Sequence, residues 1–182
     1  MLNRKAFLSL GAMGLPALAF SNLLQDTETN QPLLVSPSLQ NSYWYIGHLL
    51  SVLLTSGDTA GLYSLLRMVE TRGMEPPPHT HTREDEMFIV LSGEMEFSVG
   101  GKSYHATAGS NMYLPRNIQH SFKVITEKAE VLIVLTPGGL ERYFIEMSEP
   151  AKAMQSPPLS GPPDVARIIA TASKYGVIFP GR

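Results

Sequence analysis

One stretch of sequence decides how this chain folds and what it can bind: GMEPPPHTHTREDE at residues 73–86, with a further glycine at position 93. His79 and His81 are two residues apart, and in an extended chain such residues point to the same side. Two imidazoles on one side of a strand can converge on a single metal ion. Glu86 begins the apolar run that follows, so its carboxylate can reach the same interior from a neighbouring strand. The stretch therefore predicts a metal site built on β-strands.

A third imidazole is expected from His120, which follows the turn residues Pro115-Arg116-Asn117 and begins another apolar strand. Three imidazoles and a carboxylate offer nitrogen and oxygen ligands but no soft ligand. Such a set suits Fe, Mn, Ni, Co, Cu or Zn, and ligand type does not choose among them. The sequence thus predicts one divalent transition-metal ion held by four side chains: His79, His81, Glu86 and His120.

Each of these residues can also be interpreted as one that binds no metal. The histidines would be surface or turn residues, and Glu86 would be an edge carboxylate beside its solvated neighbours Glu84 and Asp85. His48 and His105 are expected to be structural or exposed, and Arg116 is expected to be a surface residue rather than a contact for an anionic substrate.

Short candidate strands separated by turn residues flank the histidine stretch on both sides. The continuous apolar run Met87–Leu91 predicts a strand buried on both faces. Gly100-Gly101 predicts a two-residue hairpin turn. Many short strands with close turns are typical of an all-β sandwich or barrel. The predicted strands cover residues 43–46, 49–54, 62–70, 87–91, 94–99, 102–106, 112–114, 121–125 and 131–135.

Different patterns precede and follow the strands. Arg4 and Lys5 precede an apolar run at residues 6–20, which is typical of an export signal. After residue 137 the apolar spacing becomes helical, with one short helix ending near Pro150 and a second, starting near Val165, that ends before Gly176. These helices are expected on the outside of the barrel or at a dimer contact. The predicted organisation is a signal-like segment at 1–20, a linker or arm at 21–42, a β-barrel at 43–137 and a helical extension at 138–182.

Composition excludes several classes of function. The 14 Lys and Arg against 16 Asp and Glu give a formal charge of −2, so no broad basic field exists for nucleic acid or an anionic membrane. The chain has no cysteine, which excludes disulfides, thiolate zinc sites and a cysteine nucleophile. The apolar run at residues 6–20 is too short to span a bilayer comfortably, and no other run is long enough. Export to the periplasm is the favoured localisation, and a cytoplasmic protein with a helical arm is the alternative.

At its histidine motifs the chain resembles the cupin family. The first cupin motif places glycine, His-x-His, glutamate and glycine at fixed spacings, and every position is matched here. The second motif is matched by Gly109, Pro115 and His120, but Asn117 stands where glycine is usual, and Val124 where asparagine is usual. Asn tolerates left-handed backbone angles better than most residues. The resemblance implies a single jelly-roll barrel, also called a double-stranded β-helix, with an N-terminal extension and C-terminal helices.

A narrower resemblance is to small cupins similar to quercetin 2,3-dioxygenase, through the PPPHTH run and the PGGLERYF run at 137–144. It implies a metal-dependent dioxygenase acting on a flavonol-like or enolisable aromatic substrate, with dioxygen as co-substrate and Glu86 as both ligand and catalytic base. Another metal-dependent activity (isomerase, cyclase or hydrolase) and non-catalytic binding of a small molecule are the alternatives. Similar cupins commonly pair, so a homodimer is expected.

Overall fold

The computed structural model describes residues 31–158, 161 and 164–181. The predicted signal-like segment and the start of the predicted linker lie outside these residues. In the described part the chain forms twelve strands and two helices. In chain order they are β1 Ser42–Tyr45, β2 His48–Leu54, β3 Ser64–Thr71, β4 Thr80–His81, β5 Asp85–Ser92, β6 Glu94–Val99, β7 Lys102–Thr107, β8 Asn111–Leu114, β9 His120–Val124, β10 Lys128–Thr136, α1 Glu141–Glu146, β11 Glu149–Pro150, α2 Val165–Lys174 and β12 Val177–Ile178.

The strands form antiparallel sheets, which confirms the predicted all-β class. One sheet has seven strands in the order β11-β1-β2-β3-β10-β5-β8, a second has the order β7-β6-β9, and β12 pairs with β4. The two larger sheets meet through aromatic side chains: Phe88 of β5 lies 5.2 Å from Phe97 of β6 and 5.4 Å from Phe122 of β9, between ring centroids. Each such side chain contributes about 1.5–3 kcal/mol by leaving water. The barrel core therefore lies between these sheets.

The strand predicted to be buried on both faces is buried on one. Along β5, Phe88 and Val90 are buried, whereas Met87 and Ile89 are only partly covered and Leu91 is 41% exposed. The expectation of two-sided burial was wrong because an antiparallel sheet can pack one face on the core and leave the other towards solvent. β5 thus presents alternate residues to the interior, and Glu86 lies on the same face of the strand as Phe88 and Val90.

The two-residue hairpin at Gly100-Gly101 is confirmed. Val99 pairs with Lys102 across the turn, and both glycines have positive φ, of 54° and 81°. Positive φ at both central residues is the signature of the hairpin turn that suits the twist of the strands.

Both predicted C-terminal helices are present, together with two short strands that the sequence did not indicate. In α2, Asp164 accepts a hydrogen bond from the Arg167 amide at the first turn, and Gly176 lies beyond the last turn with φ of 82°. α1 ends at Glu146, before Pro150, because β11 follows and pairs with β1. The β12 strand pairs Val177 with His81 and so covers the strand that carries one of the predicted ligands.

Candidate metal centre

The four predicted ligands meet at one place inside the barrel. Their ligand atoms all lie within 4.8 Å of one another, and all four residues are buried. The backbones of His79 and His120 are bonded to each other, with each amide donating to the other residue's carbonyl at 2.9 Å. This bridge brings the two motifs together: the His-x-His motif comes from β4 and the residue before it, Glu86 comes from β5, and His120 begins β9.

The three imidazoles form a compact triangle. Ring centroids are 5.1 Å apart for His79 and His81, 4.6 Å for His79 and His120, and 5.0 Å for His81 and His120. Glu86 Oε2 lies 3.5 Å from His120 Nε2. These spacings leave room between the four side chains for one ion rather than for direct hydrogen bonds among them.

Backbone carbonyls orient two of the rings. His79 Nδ1 lies 3.0 Å from the Pro77 carbonyl oxygen, and His120 Nδ1 lies 3.1 Å from the Ile118 carbonyl oxygen. Since a carbonyl only accepts, each Nδ1 carries the proton and donates it, which leaves the Nε2 lone pair free. Within the described residues, His120 Nε2 and His81 Nδ1 are buried without a hydrogen-bond partner. A metal ion would satisfy such lone pairs, so the residues present fit a divalent ion.

The pKa values of His79, His81 and Glu86 favour the binding of a cation. Burial, together with the neighbouring His81 and His120, lowers the pKa of His79 to about 3. Burial likewise lowers the pKa of His81. Burial alone would raise the pKa of Glu86, but the three histidines outweigh it and the net direction is down. Neutral imidazoles beside an ionised carboxylate are the protonation states in which these groups bind metal.

These shifts predict that the metal-free protein loses stability as pH falls from about 6.5 to about 3, because the unfolded chain then binds protons that buried His79 does not. His79 therefore contributes its full stabilisation above its unfolded pKa and loses it as pH falls towards its folded pKa. Urea unfolding in a chelator at about pH 7.5 and about pH 4.5 measures the loss. His79→Gln, which does not titrate, should show a smaller loss than the native chain. Equal losses would contradict the assignment.

The residues beside Glu86 have structural partners of their own. Asp85 accepts two side-chain hydrogen bonds from Arg116, at 2.8 and 3.0 Å, and a third from the Arg116 amide at 2.9 Å. This pairing lowers the pKa of Asp85 to about 2. Arg116 therefore ties the turn before β9 to the start of β5. Glu84, expected to be solvated, is only 6% exposed, and burial raises its pKa to about 7.

The departure from the second cupin motif is accommodated by the backbone. Asn117 has φ of 63°, in the left-handed region, and its amide donates to the His81 carbonyl at 2.7 Å. Asn117 thus holds the turn before His120 against the strand that carries His81.

The effect of a substitution at Asn117 on stability should depend on how well the new residue tolerates the left-handed backbone angle. Asn117→Gly is expected to change the free energy of unfolding by less than about 1 kcal/mol, whereas Asn117→Val should cost about 1–2 kcal/mol because a β-branched residue is strained there. Urea unfolding of both variants measures the difference. A valine variant as stable as the glycine variant would show that the left-handed angle imposes no constraint.

Several residues around the cluster were not predicted as site residues. A cavity of about 50 Å³ adjoins the ligands and is lined by apolar side chains together with His48 and Glu70. Phe179, in the C-terminal segment, lies 5.6 Å from the His79 ring between centroids. His48 is buried and structural, and the side chain of His105 is 57% exposed, both as predicted. No local pattern indicates Phe179, because its contact with His79 depends on the path of the C-terminal segment.

Comparison with known proteins is consistent with this geometry. Residues 65–139 match the family model described as "Cupin domain". The chain contains a cupin domain. The matched range includes His79, His81, Glu86 and His120, so all four predicted ligands lie inside the cupin domain. Among the helices that the structure describes, none has the length and apolar character needed to cross a membrane.

Two curated relatives match parts of the chain. Quercetin 2,3-dioxygenase of Bacillus subtilis is 25% identical over 93 residues, which is 51% of this chain and 28% of that protein. An uncharacterized protein of Streptomyces coelicolor is 35% identical over 60 residues, 33% of this chain and 54% of that protein. The matches therefore span about a quarter and about half of the relatives' own lengths.

Solved structures confirm the cupin fold. KdgF from Halomonas sp. has a TM-score of 0.53 at 15% identity, covering 61% of this chain and 99% of that one. A predicted oxalate decarboxylase from Thermotoga maritima has a TM-score of 0.52 at 22% identity, covering 57% and 99%. An RmlC-like cupin from Shewanella frigidimarina has a TM-score of 0.51 at 19% identity, covering 62% and 97%. At these identities the likeness concerns the fold alone.

Proposed function

We propose that this protein is a metal-dependent enzyme whose single divalent ion is held by His79, His81, Glu86 and His120. The observation that carries the proposal is the buried cluster, whose ligand atoms lie within 4.8 Å of one another and whose lone pairs include two without partners among the described residues. A bound ion would supply Lewis acidity, which lowers the pKa of a hydroxyl group placed beside it. The apolar cavity next to the cluster keeps bulk water away and accepts a small organic substrate.

Within this class we propose a dioxygenase that acts on a flavonol-like or enolisable aromatic substrate. Support comes from the local similarity to quercetin 2,3-dioxygenase, which covers 51% of the chain. Glu86 would take the substrate's hydroxyl proton, because it is a buried carboxylate in the cluster and the histidines, which lower its pKa, keep it ionised. The substrate's ring would pack on apolar residues of the cavity wall, among them Phe88 and Phe122.

The proposal is tested by oxygen uptake with a panel of flavonols, on protein loaded in turn with iron, manganese, nickel, cobalt, copper and zinc. Turnover with at least one metal is expected, and no turnover with any metal would overturn the dioxygenase assignment. Glu86→Gln is expected to lose turnover. If that variant keeps its metal, the loss of turnover is due to the missing catalytic base. If it also loses the metal, the loss of turnover is due to the missing metal ligand.

The size of the cavity favours a second candidate, a metal-dependent isomerase, cyclase or hydrolase with a small substrate. The space directly beside the cluster is about 50 Å³, about a third of the roughly 150 Å³ of an apolar cavity that binds benzene. Conversion of a substrate under strictly anaerobic conditions would favour this candidate over a dioxygenase. The homodimer and the export signal remain proposals, tested by light scattering and by cell fractionation.

A further inference from the structure

A second buried polar pair lies on the wall of the cavity beside the metal cluster. His48 of β2 is 1% exposed and Glu70 of β3 is 2% exposed. His48 Nδ1 is 3.0 Å from Glu70 Oε2. Both residues line the same 50 Å³ cavity as His79, His81 and Glu86. Neither is a ligand of the proposed metal, so the pair has no role yet in the proposed function.

The protons of this pair follow from its contacts. His48 Nε2 lies 3.0 Å from the Met74 carbonyl oxygen, so Nε2 carries a proton and donates it. Nδ1 accepts a hydrogen bond from the Thr71 amide at 3.1 Å and lies 3.0 Å from Glu70 Oε2. Burial lowers the pKa of His48, but the charge of Glu70 and the Met74 carbonyl outweigh it and raise the pKa above its ordinary value. The Met74 carbonyl and the Thr71 amide therefore fix the His48 ring, whose Nδ1 lies against Glu70 Oε2.

Glu70 has acceptor capacity left over. Within the described residues, its Oε2 atom is buried and makes no hydrogen bond of good geometry. A carboxylate has about four acceptor positions, and His48 faces one oxygen atom only. A buried acceptor that stays unfilled costs about 1–3 kcal/mol. A hydrogen-bond donor from a ligand in the cavity would remove this cost.

The other walls of the cavity are mainly apolar, with Met68, Phe88 and Ile133 among them. A ligand in such a space is oriented by the few polar groups it meets. Those groups are the metal cluster, the Glu70–His48 pair and the hydroxyl groups of Tyr45 and Tyr143, of which Tyr45 donates to Tyr143 at 3.1 Å. A neighbouring cavity of about 60 Å³ shares the lining residues Tyr45, His48, Pro76 and Phe179. Together the two cavities enclose about 110 Å³, which is comparable with the roughly 150 Å³ of an apolar cavity that binds benzene.

We propose that Glu70, positioned by His48, is the second polar anchor of this site and accepts a hydrogen bond from a hydroxyl group of the substrate. The substrate class is a single aromatic ring with two oxygen functions, one directed at the four-residue cluster and one hydroxyl directed at Glu70. This inference rests on the proposed function for the first of these two contacts only.

The probes are resorcinol, which carries two hydroxyl groups too far apart to chelate one ion, and phenol, which lacks the second hydroxyl. Calorimetric titration gives both affinities for the native chain and for Glu70→Gln, loaded with zinc so that no oxidation occurs. Glu70→Gln is expected to lower the affinity for resorcinol by about tenfold or more, as expected for the loss of a hydrogen bond to a charged group. The affinity for phenol should change by less than about twofold. Equal losses for the two probes would show a merely structural role and overturn the proposal, as would unchanged affinities or no binding of resorcinol to the native chain.

The same titrations on metal-free protein separate the two proposals. There the free histidine lone pairs accept the first hydroxyl, and the preference for resorcinol that depends on Glu70 should persist. If the native chain takes up no zinc, the proposed function fails while the metal-free titrations still test Glu70. If Glu70→Gln does not fold, His48→Gln is titrated instead. It should show the same selective loss of affinity for resorcinol, because His48 no longer positions Glu70.

Discussion

Replacement of His79 by alanine is expected to abolish stoichiometric metal binding. The native chain should retain about one divalent ion after dialysis, and the variant less than about a tenth of that, because one of the four ligands of a buried site is lost. Elemental analysis of the dialysed proteins measures the difference. Metal at one hundred times its dissociation constant stabilises a protein by about 2.7 kcal/mol, so thermal unfolding with and without metal should show a shift only for the native chain.

His105→Ala is the matched control for this experiment. The side chain of His105 is 57% exposed and pairs with Glu94 on the outside of the barrel. Its removal should leave the metal content at the native value. If His79→Ala keeps its metal, or if both variants lose it, the cluster is not the metal site.

Replacement of Gly93 by alanine is expected to be the most destabilising single change outside the cluster. Gly93 has φ of 81°, and a Cβ atom there would lie 2.5 Å from the Lys128 carbonyl oxygen and 2.8 Å from the Ala129 Cα. Both atoms belong to the backbone of β10, which is bonded on each side, to β3 and to β5, and so has little freedom to move. We expect a loss of about 3–4 kcal/mol or more, measured by urea unfolding.

Gly101→Ala separates the clash from the backbone strain. Gly101 has the same φ of 81°, but a Cβ atom there would meet nothing within 4 Å. Its alanine variant should cost only the left-handed strain, about 1–2 kcal/mol. Equal costs for the two variants would mean that β10 shifts to accommodate the new atom. The second glycine of the first cupin motif is thus explained by a close approach between two strands.

Those parts of the fold that depend on local pattern were predictable from the sequence. Gly100-Gly101 turns between β6 and β7 because both residues accept positive φ. The ends of α2 follow from Asp164 and Gly176, which satisfy backbone groups at its two ends. His79 and His81 share a face because they are two residues apart in an extended segment, and the structure brings both together with His120.

Contacts between distant segments were not predictable. β12 is two residues long, too short to show alternation, and its pairing with β4 depends on the path of the whole C-terminal segment. The contact between His48 and Glu70 could not be predicted for a similar reason, since it depends on the register of β2 against β3. The burial of Glu84, which raises its pKa to about 7, likewise depends on contacts outside its own stretch of sequence.

The central claim is that three imidazoles and one carboxylate hold a single ion, and X-ray absorption spectroscopy of the metal-loaded protein tests it most directly. Imidazole rings scatter with a characteristic outer-shell pattern, so the number bound to the ion can be counted. The account predicts three imidazoles per ion in the native chain, with the remaining ligands being oxygen. An ion with an all-oxygen shell and no imidazole scattering would contradict it.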